Sequence, residues 1–182
     1  VGTRYVALLN DDATADPGWL AALVTALDAD AELAAVASRM LLAGADPPVV
    51  NNAGVVVGPN GYGLDIGLGE PDGPGFAVPG EVFSFSGGAA ALRLDAVRAI
   101  GGFPAEFFLY YEDADTGWRL RLAGWRIGYV PDAVVRHRHS ATADSRSASF
   151  AFHNERNRLL MLTRCAPAGL ALRQLLRFPL TT

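Results

Sequence analysis

The stretch FFLYYEDADTGWRLRLAGWRIGYVPDAVVRHRHSAT, residues 107–142, decides how the fold of this chain is interpreted. Five aromatic or aliphatic residues lead directly into Glu112 and Asp113, and Asp115 follows. Acidic residues are favourable in the first turn of a helix, so the pattern predicts a helix that begins here and stops at Gly124. N-terminal capping alone would explain the acids. A carboxylate beside an apolar wall can also have a raised pKa and serve as a general base.

Two histidines end the segment AVVRHRHS, which predicts a strand. Side chains alternate along a strand, so His137 and His139 share one face, with Arg136 and Arg138 on the other. Two imidazoles on one face could bind a metal ion or meet a phosphate group. A solvated pair of histidines at a sheet edge explains the pattern equally well.

The run YVALLN, residues 5–10, predicts a buried strand of a parallel sheet. It ends at Asn10, and Asp11 and Asp12 follow. Open α/β sheets bind ligands at the carboxyl ends of their strands, and carboxylates there suit a divalent cation that carries phosphates. A simple turn before a helix also explains both acids.

A helix should follow this turn, because Asp16 is a good N-cap and Pro17 suits the first helical position. Strand patterns and helix patterns both recur along the rest of the chain, as in an α/β fold. Further strands are predicted over residues 33–40 and 81–94, the second with a break at Ser86, Gly87 and Gly88. Residues 49–58 predict another strand or one arm of a hairpin. Helices are predicted over residues 94–103 and 113–124, and a strand, a turn and a second strand over residues 125–137.

Residues 58–80 contain 8 glycines and 4 prolines and predict a long loop. Such a loop could close over a ligand as a lid. A variable surface insertion fits the composition equally well.

The chain has 182 residues, enough for one domain with a sizeable core. Its net charge of −4 excludes the basic surface that nucleic-acid binding needs. One cysteine, Cys165, excludes an internal disulfide and a cysteine-based metal cage, and it favours a reducing compartment. No apolar run reaches the roughly 18 residues that span a bilayer. Because Val1 opens almost directly into a strand, we expect a fragment of a longer protein.

The tail, residues 146–182, predicts a helical extension with arginines among leucines. An amphipathic cationic helix can lie on an anionic membrane. A helix packed on the domain with its arginines in water is the alternative.

Together these motifs resemble the second half of a family 2 glycosyltransferase, the inverting nucleotide-sugar enzymes with the GT-A fold. The likeness is greatest to bacterial rhamnosyltransferase-type members that build cell-wall and surface polysaccharides. It runs from Tyr5 to Arg164 and depends on YVALLNDDATADPGWL and on the long block that begins FSGGAAALRLDAVRAIGGF. The resemblance implies a mixed sheet flanked by helices, with the N-terminal nucleotide-binding half absent. Residues 1–145 would then form the acceptor- and metal-binding half, inactive by itself.

The resemblance also implies roles for individual residues. Asp12 matches the last acid of the metal motif, and His137 matches a histidine that completes the metal shell in some relatives; His139 falls where relatives often have glycine. The metal would be Mg²⁺ or Mn²⁺, and Asp113 matches the catalytic base. Residues implied at the donor or acceptor are Asn10, which stands where the motif's first acid often lies, Asp11, Ser86, Gly87, Gly88 and Glu112.

We therefore expect transfer of a sugar, rhamnose in the first instance, from a nucleoside diphosphate to a glycan or lipid-linked acceptor with inversion. The protein would act in the cytoplasm, at the inner face of the plasma membrane if the tail contacts lipid. Two alternatives are a nucleotidyltransferase that makes nucleotide-sugars and a non-catalytic carbohydrate-binding fragment. The first would release pyrophosphate, and the second would bind glycan without a metal.

Overall fold

The computed structural model of the protein describes residues 2–138 and 147–181, so the prediction for His139 lies outside the described residues. Nine strands and five α-helices make up this part of the chain. The strands are β1 (Tyr5–Leu9), β2 (Ala13–Ala15), β3 (Leu33–Leu42), β4 (Val50–Asn52), β5 (Val55–Val57), β6 (Gly63–Asp65), β7 (Gly80–Glu81), β8 (Ala89–Arg93) and β9 (Arg126–His137), and the helices are α1 (Trp19–Ala29), α2 (Leu94–Ala99), α3 (Glu112–Leu122), α4 (Ala148–Cys165) and α5 (Ala168–Thr181).

Seven of these strands form one sheet, in the order β1-β8-β3-β9-β2, with β4 beside β3 and β7 beside β9. The strands β3 and β9 are parallel, and the other pairs are antiparallel. The predicted α/β class, a mixed sheet flanked by helices, is confirmed. The prediction that β1 is a buried strand of a parallel sheet is wrong. Within the described residues, β1 pairs only with β8, to which it is antiparallel, and it lies at the edge of the sheet. Its side chains are half exposed.

The core lies on both faces of β3, whose alternating side chains face opposite layers. On one face Val36 and Met40 pack against α1 through Leu23 and Leu27. On the other face Leu41 belongs to a second cluster with side chains from α2, α3 and β8. Because both faces are covered, β3 is an almost continuous apolar run rather than an alternating one.

The start of α1 differs from the prediction. The helix begins at Trp19, after Gly18 in a left-handed conformation with φ +88°, and no side chain caps it. Asp16 instead accepts hydrogen bonds from Arg136 on β9 at 3.2 Å. The carboxylate that could cap the helix is used across the sheet, which sequence spacing does not reveal.

The predicted turn within residues 125–137 is also wrong, because β9 continues through Pro131. Its pairing with β3 shifts register between Ser38 and Arg39, opposite Val130 and Val134. Proline lacks a backbone N–H, so a strand can accommodate it at such an irregularity.

Residues 58–80 contain β6 and a 3-10 turn at Pro74–Phe76, and they are anchored to the sheet. Arg39 on β3 pairs with Asp72, and the hydroxyl of Tyr129 donates to the carbonyl of Phe76 at 2.9 Å. The long glycine-rich segment is therefore held at two places rather than lying free over the surface.

Helix α4 packs on α3, and α5 packs on α4. Within the described ranges, no helix is both long enough and apolar enough to cross a membrane. The C-terminal helices thus bring residues from the end of the chain against α3, the helix that carries Glu112 and Asp113.

Candidate active site

Asp12 and His137 meet where β2 pairs with β9. Ala13 lies opposite His137 in the ladder, which brings the preceding carboxylate to the imidazole. The Nε2 atom of His137 is 3.0 Å from Oδ1 of Asp12. Both side chains are largely buried, so the pair is held in one place.

The imidazole is oriented from its other side by Asn51 on β4, whose Oδ1 lies 2.7 Å from Nδ1 of His137. The Nδ2 amide of Asn10 lies 3.3 Å from Nε2 on the opposite side of the ring. Asn51 and Asn10 thus hold the imidazole so that Nε2 faces the Asp12 carboxylate.

Glu112 and Asp113 form the first turn of α3. Oδ2 of Asp113 accepts from the backbone N–H of Gly87 at 2.9 Å, and Oδ1 accepts from Ala114 at 2.7 Å. A Cβ atom built at Gly87 would lie 3.6 Å from Oε1 of Glu112 and 3.7 Å from Oδ2 of Asp113. The two carboxyl groups therefore flank this glycine.

The turn Ser86-Gly87-Gly88 connects the two groups of side chains. The carbonyl of Gly88 accepts from the backbone N–H of Asn10 at 3.0 Å, while Gly87 donates to Asp113. A Cβ at Gly88 would lie 3.4 Å from the Asn10 amide, and the hydroxyl of Ser86 accepts from the Gly88 N–H. The histidine–carboxylate pair and the carboxyl pair are thus neighbours across one three-residue turn.

Helix α3 is seated closely against this region through Gly117. A Cβ there would lie 1.9 Å from the hydroxyl of Ser84, closer than any real contact. The same hydroxyl donates to the carbonyl of Asp113 at 2.8 Å. Because Gly117 has no side chain, α3 can lie close to Ser84, and this sets the position of Asp113 relative to the turn at residues 86–88.

Burial raises the pKa of Glu112 to about 7, and the neighbouring charge of Asp113 adds to the rise. Burial likewise raises the pKa of Asp113, although the N–H groups of Gly87 and Ala114 partly oppose it. The Oε2 atom of Glu112 is buried without a hydrogen-bond partner among the described residues. The rise expected for a carboxylate next to an apolar wall is found, and its main cause is desolvation.

Among the predicted site residues that the structure describes, Asp11 is the one whose side chain lies outside this cluster. Its side chain is exposed, and no hydrogen bond or ion pair joins it to the described residues. The other predicted residues in those ranges belong to the cluster above.

Sequence reasoning missed the contribution of β4 and β6. Asn51 holds His137, and Asn52 donates to Asp65 at 2.6 Å. The charge of Asp65 in turn raises the pKa of Asp113. Two consecutive asparagines within the apolar strand pattern VVNNAGVVV were the available signal, since amides are unusual in a buried strand.

A cavity of about 420 Å³ lies elsewhere, near the start of β3, and its lining includes Asp30, Leu33, Arg126 and Tyr129. None of the candidate site residues lines it. The cluster around residues 86–88 is the more chemically equipped location, because it combines a carboxyl pair, an oriented imidazole and a further carboxylate.

Residues 5–158 match the family model described as glycosyl transferase family group 2. The chain belongs to this family. The match begins at β1 and ends on α4, so it includes both sides of the candidate site.

Two curated relatives from Mycobacterium tuberculosis agree with this membership. An N-acetylglucosaminyl-diphospho-decaprenol L-rhamnosyltransferase is 43% identical over 70 residues, which is 37% of this chain and 23% of the relative. A pre-mycofactocin glycosyltransferase is 33% identical over 138 residues, which is 75% of this chain and 27% of the relative. The chain thus spans about a quarter of the length of these relatives.

The fold is that of a GT-A glycosyltransferase. A crystal structure of GalNAc-T7 with UDP, GalNAc and Mn²⁺ superposes with a TM-score of 0.64 at 12% identity, over 88% of this chain and 31% of that chain. The predicted family and the predicted GT-A fold are both confirmed.

Asp12 and His137 are the side chains that could hold a divalent cation in this family member. In the described ranges no three or more His, Cys, Asp or Glu side chains are grouped so as to hold a metal ion. A cation on two protein ligands would take its remaining ligands from water and phosphate oxygens, as Mg²⁺ commonly does. The donor set, a carboxylate and an imidazole nitrogen that lie 3.0 Å apart, fits such a cation.

Proposed function

We propose that this chain is the metal- and acceptor-binding part of a glycosyltransferase that moves a sugar from a nucleoside diphosphate to a hydroxyl group with inversion. The observation that supports this most is the turn at residues 86–88. It has the proposed cation ligands on one side and a carboxyl pair of raised pKa on the other. A displacement at an anomeric carbon needs a cation at the leaving diphosphate and a base at the attacking hydroxyl, separated by no more than the size of one sugar.

Asp113 is the proposed general base. As the acceptor hydroxyl attacks the anomeric carbon, its proton passes to the Asp113 carboxylate and its oxygen forms the new glycosidic bond. The bond from the anomeric carbon to the phosphate oxygen breaks, and the nucleoside diphosphate leaves with the electron pair. One displacement from the opposite face inverts the configuration, so no covalent intermediate on the protein is required.

The raised pKa of Asp113 suits this role, because a carboxylate that binds its proton more tightly is a stronger base. The N–H of Gly87 holds one carboxyl oxygen in place, which limits the orientations available for proton transfer. Glu112, with a buried oxygen that lacks a partner among the described residues, is proposed to contact a hydroxyl group of the donor or acceptor.

On the donor side, Asp12 and His137 would bind Mg²⁺ or Mn²⁺, which when bound neutralises the charge that develops on the diphosphate. Asn51 contacts Nδ1 of His137 and so orients the ring with Nε2 toward Asp12. Asn10 lies between this pair and Gly88, where it can contact the donor. The structural neighbour holds UDP and Mn²⁺, and this supports a divalent cation and a nucleotide-sugar donor for this chain.

The proposed donor is deoxythymidine-diphosphate rhamnose, and the proposed acceptor is a lipid-linked glycan in bacterial cell-wall synthesis. The support is the similarity to a rhamnosyltransferase whose name specifies a diphospho-decaprenol acceptor. The second relative, a pre-mycofactocin glycosyltransferase, keeps a different acceptor open to test.

A cytoplasmic location at the inner membrane face belongs to the same proposal. On α5, Leu172 and Leu176 are 58% and 68% exposed, and Leu175 lies beside them at 42%. This stripe could insert at a lipid surface. Replacing Leu172 and Leu176 together by serine should weaken co-sedimentation with vesicles that contain phosphatidylglycerol; unchanged co-sedimentation would remove the membrane contact from the proposal.

The direct experiment is a screen of nucleotide-sugar donors on the full-length natural protein with Mn²⁺, in which the released product is identified. We expect nucleoside diphosphate to be released from a nucleotide-sugar in the presence of a glycan acceptor. Release of pyrophosphate would instead identify a nucleotidyltransferase. Binding of glycan with no turnover of any donor would identify a non-catalytic carbohydrate-binding protein.

A further inference from the structure

The turn that precedes α3 is strained. Phe108, Tyr110 and Tyr111 have φ values of +57°, +67° and +69°. Non-glycine residues avoid this region because the Cβ atom crowds the carbonyl oxygen, so three within four residues require strong support from outside the turn. Tyr111 is the residue directly before Glu112, and no side chain caps the helix there. The turn therefore sets the position of the carboxyl pair.

The support comes from Asn157 on α4, whose side chain is completely buried. Its Nδ2 amide lies within hydrogen-bonding distance of the carbonyl oxygens of Phe107 at 2.7 Å, Leu109 at 2.7 Å and Tyr110 at 2.9 Å. The amide has two hydrogens, so one of them is shared between two of these three carbonyl groups. The turn is not a regular helix, so these carbonyl groups lack the usual helical N–H partners. The Asn157 amide supplies donors in their place.

The amide has its orientation fixed by a neighbour. Nη1 of Arg156 donates to Oδ1 of Asn157 at 2.8 Å and to the carbonyl of Glu106 at 2.8 Å. With Oδ1 occupied in this way, Nδ2 faces the turn. The pair of adjacent residues on α4 therefore holds the turn at both of its ends.

We propose that Asn157 is a positioning residue for sugar transfer: by clamping the turn at residues 107–111 it sets Asp113 at bonding distance from the Gly87 N–H. This inference rests on the proposed function of Asp113. Asn157 touches neither the carboxyl pair nor the proposed cation ligands in the described hydrogen bonds, so it acts through the backbone.

The test uses Asn157→Asp in the full-length natural protein. The variant keeps size and shape but points a carboxylate oxygen at three carbonyl groups. With dTDP-rhamnose and Mn²⁺ as the probe, we expect kcat to fall about 10- to 100-fold, as misplacement of a reacting group does. Calorimetric donor affinity should stay within about twofold, because displacing a catalytic group changes turnover rather than uniform binding.

Two further measurements separate positioning from general destabilisation. Loss of the Gly87 hydrogen bond raises the pKa of Asp113, so the acid limb of the pH–rate profile should move to higher pH; Glu112 and Asp65 are the other carboxyl groups that act on it. Hydrogen–deuterium exchange should rise over residues 107–113 and stay unchanged in α1. The matched control is Asn154→Asp on the same helix, since Asn154 makes no side-chain hydrogen bond to the described residues.

Unchanged kcat and unchanged exchange over residues 107–113 would overturn the proposal. So would a parallel fall of kcat and donor affinity with the acid limb unmoved, which describes lost stability alone. If the aspartate variant does not fold, Asn157→Ala is measured instead, and failure of both to fold assigns Asn157 to folding only. A wild-type protein that transfers no sugar contradicts the proposed function, whereas the exchange measurement still decides what Asn157 does to the turn.

Discussion

The backbone N–H of Gly87 donates to Oδ2 of Asp113 at 2.9 Å, and this one bond ties the turn between β7 and β8 to the start of α3. The carbonyl of the next residue, Gly88, accepts from Asn10. Segments from three separate parts of the chain therefore meet at two adjacent glycines. The proposed division between a cation side and a base side depends on this meeting point.

Replacing Gly87 by alanine should impair transfer without impairing the fold. A Cβ there meets Glu112 and Asp113 at ordinary contact distances of 3.6–3.8 Å, so the structure can accommodate it. The methyl group would, however, contact both carboxyl groups where the acceptor hydroxyl is proposed to bind. We expect kcat/KM for the acceptor to fall at least about 10-fold, with the melting temperature nearly unchanged.

Gly73→Ala is the matched control, because its Cβ would meet no atom within 4 Å and its backbone is extended. Wild-type acceptor kinetics in the Gly87 variant would show that the space above the carboxyl pair is not used.

The helix at Glu112–Leu122 could be predicted from sequence because its signals are local. Acids stand in its first turn, and Arg119 lies one turn after Asp115, with which it forms an ion pair at 2.7 Å. The stop at Gly124 is equally local, since glycine adopts the left-handed conformation with φ +90° found there. Interactions within one turn of helix need no knowledge of the rest of the chain.

The partners of the site residues could not be predicted in this way. Asn51 reaches His137 from 86 positions earlier, and Asn157 reaches Phe107 from 50 positions later. Each amide lies in a segment whose local pattern indicates only a strand or a helix. Asn51 and Asn157 contact these partners only after the sheet and the C-terminal helices have packed, and such tertiary contacts are not visible in a local sequence pattern.

The pKa of Glu112 predicts how stability depends on pH. A carboxyl group with a folded-state pKa near 7 instead of 4.5 holds its proton longer in the folded protein than in the unfolded chain. Between about pH 4.5 and 7 the unfolded state therefore binds fewer protons, and stability falls as pH rises through this range. The raised pKa of Asp113 acts in the same direction.

Glu112→Gln removes one of these buried charges, so the variant should be more stable than the wild type at pH 8, on the order of 2 kcal/mol, and nearly equal to it at pH 4.5. Thermal unfolding followed at both pH values is the measurement. A variant less stable than the wild type at pH 8 would mean that contacts of the Glu112 carboxylate stabilise the folded protein by more than its burial destabilises it.

Replacing His137 by alanine should raise the Mn²⁺ concentration for half-maximal transfer at least about 10-fold, because one of two proposed protein ligands is lost. Direct calorimetric titration with Mn²⁺ should show the same weakening without any substrate turnover. His153→Ala is the control, since His153 lies on α4, where its ring packs against those of Phe108 and Phe152 instead of facing Asp12. Matching Mn²⁺ curves for the two variants would remove His137 from the cation site.

The role of Asp113 as the general base is tested most directly by Asp113→Asn in the full-length natural protein, with kcat and donor affinity measured on the same preparation. The amide keeps the shape of the side chain but cannot take a proton from the acceptor. We predict that kcat falls about 100- to 10,000-fold, the range that general-base catalysis supplies, while the calorimetric donor affinity stays within about twofold. Transfer at more than a tenth of the wild-type rate, or an equal loss of donor affinity, would contradict the assignment of Asp113 as the base.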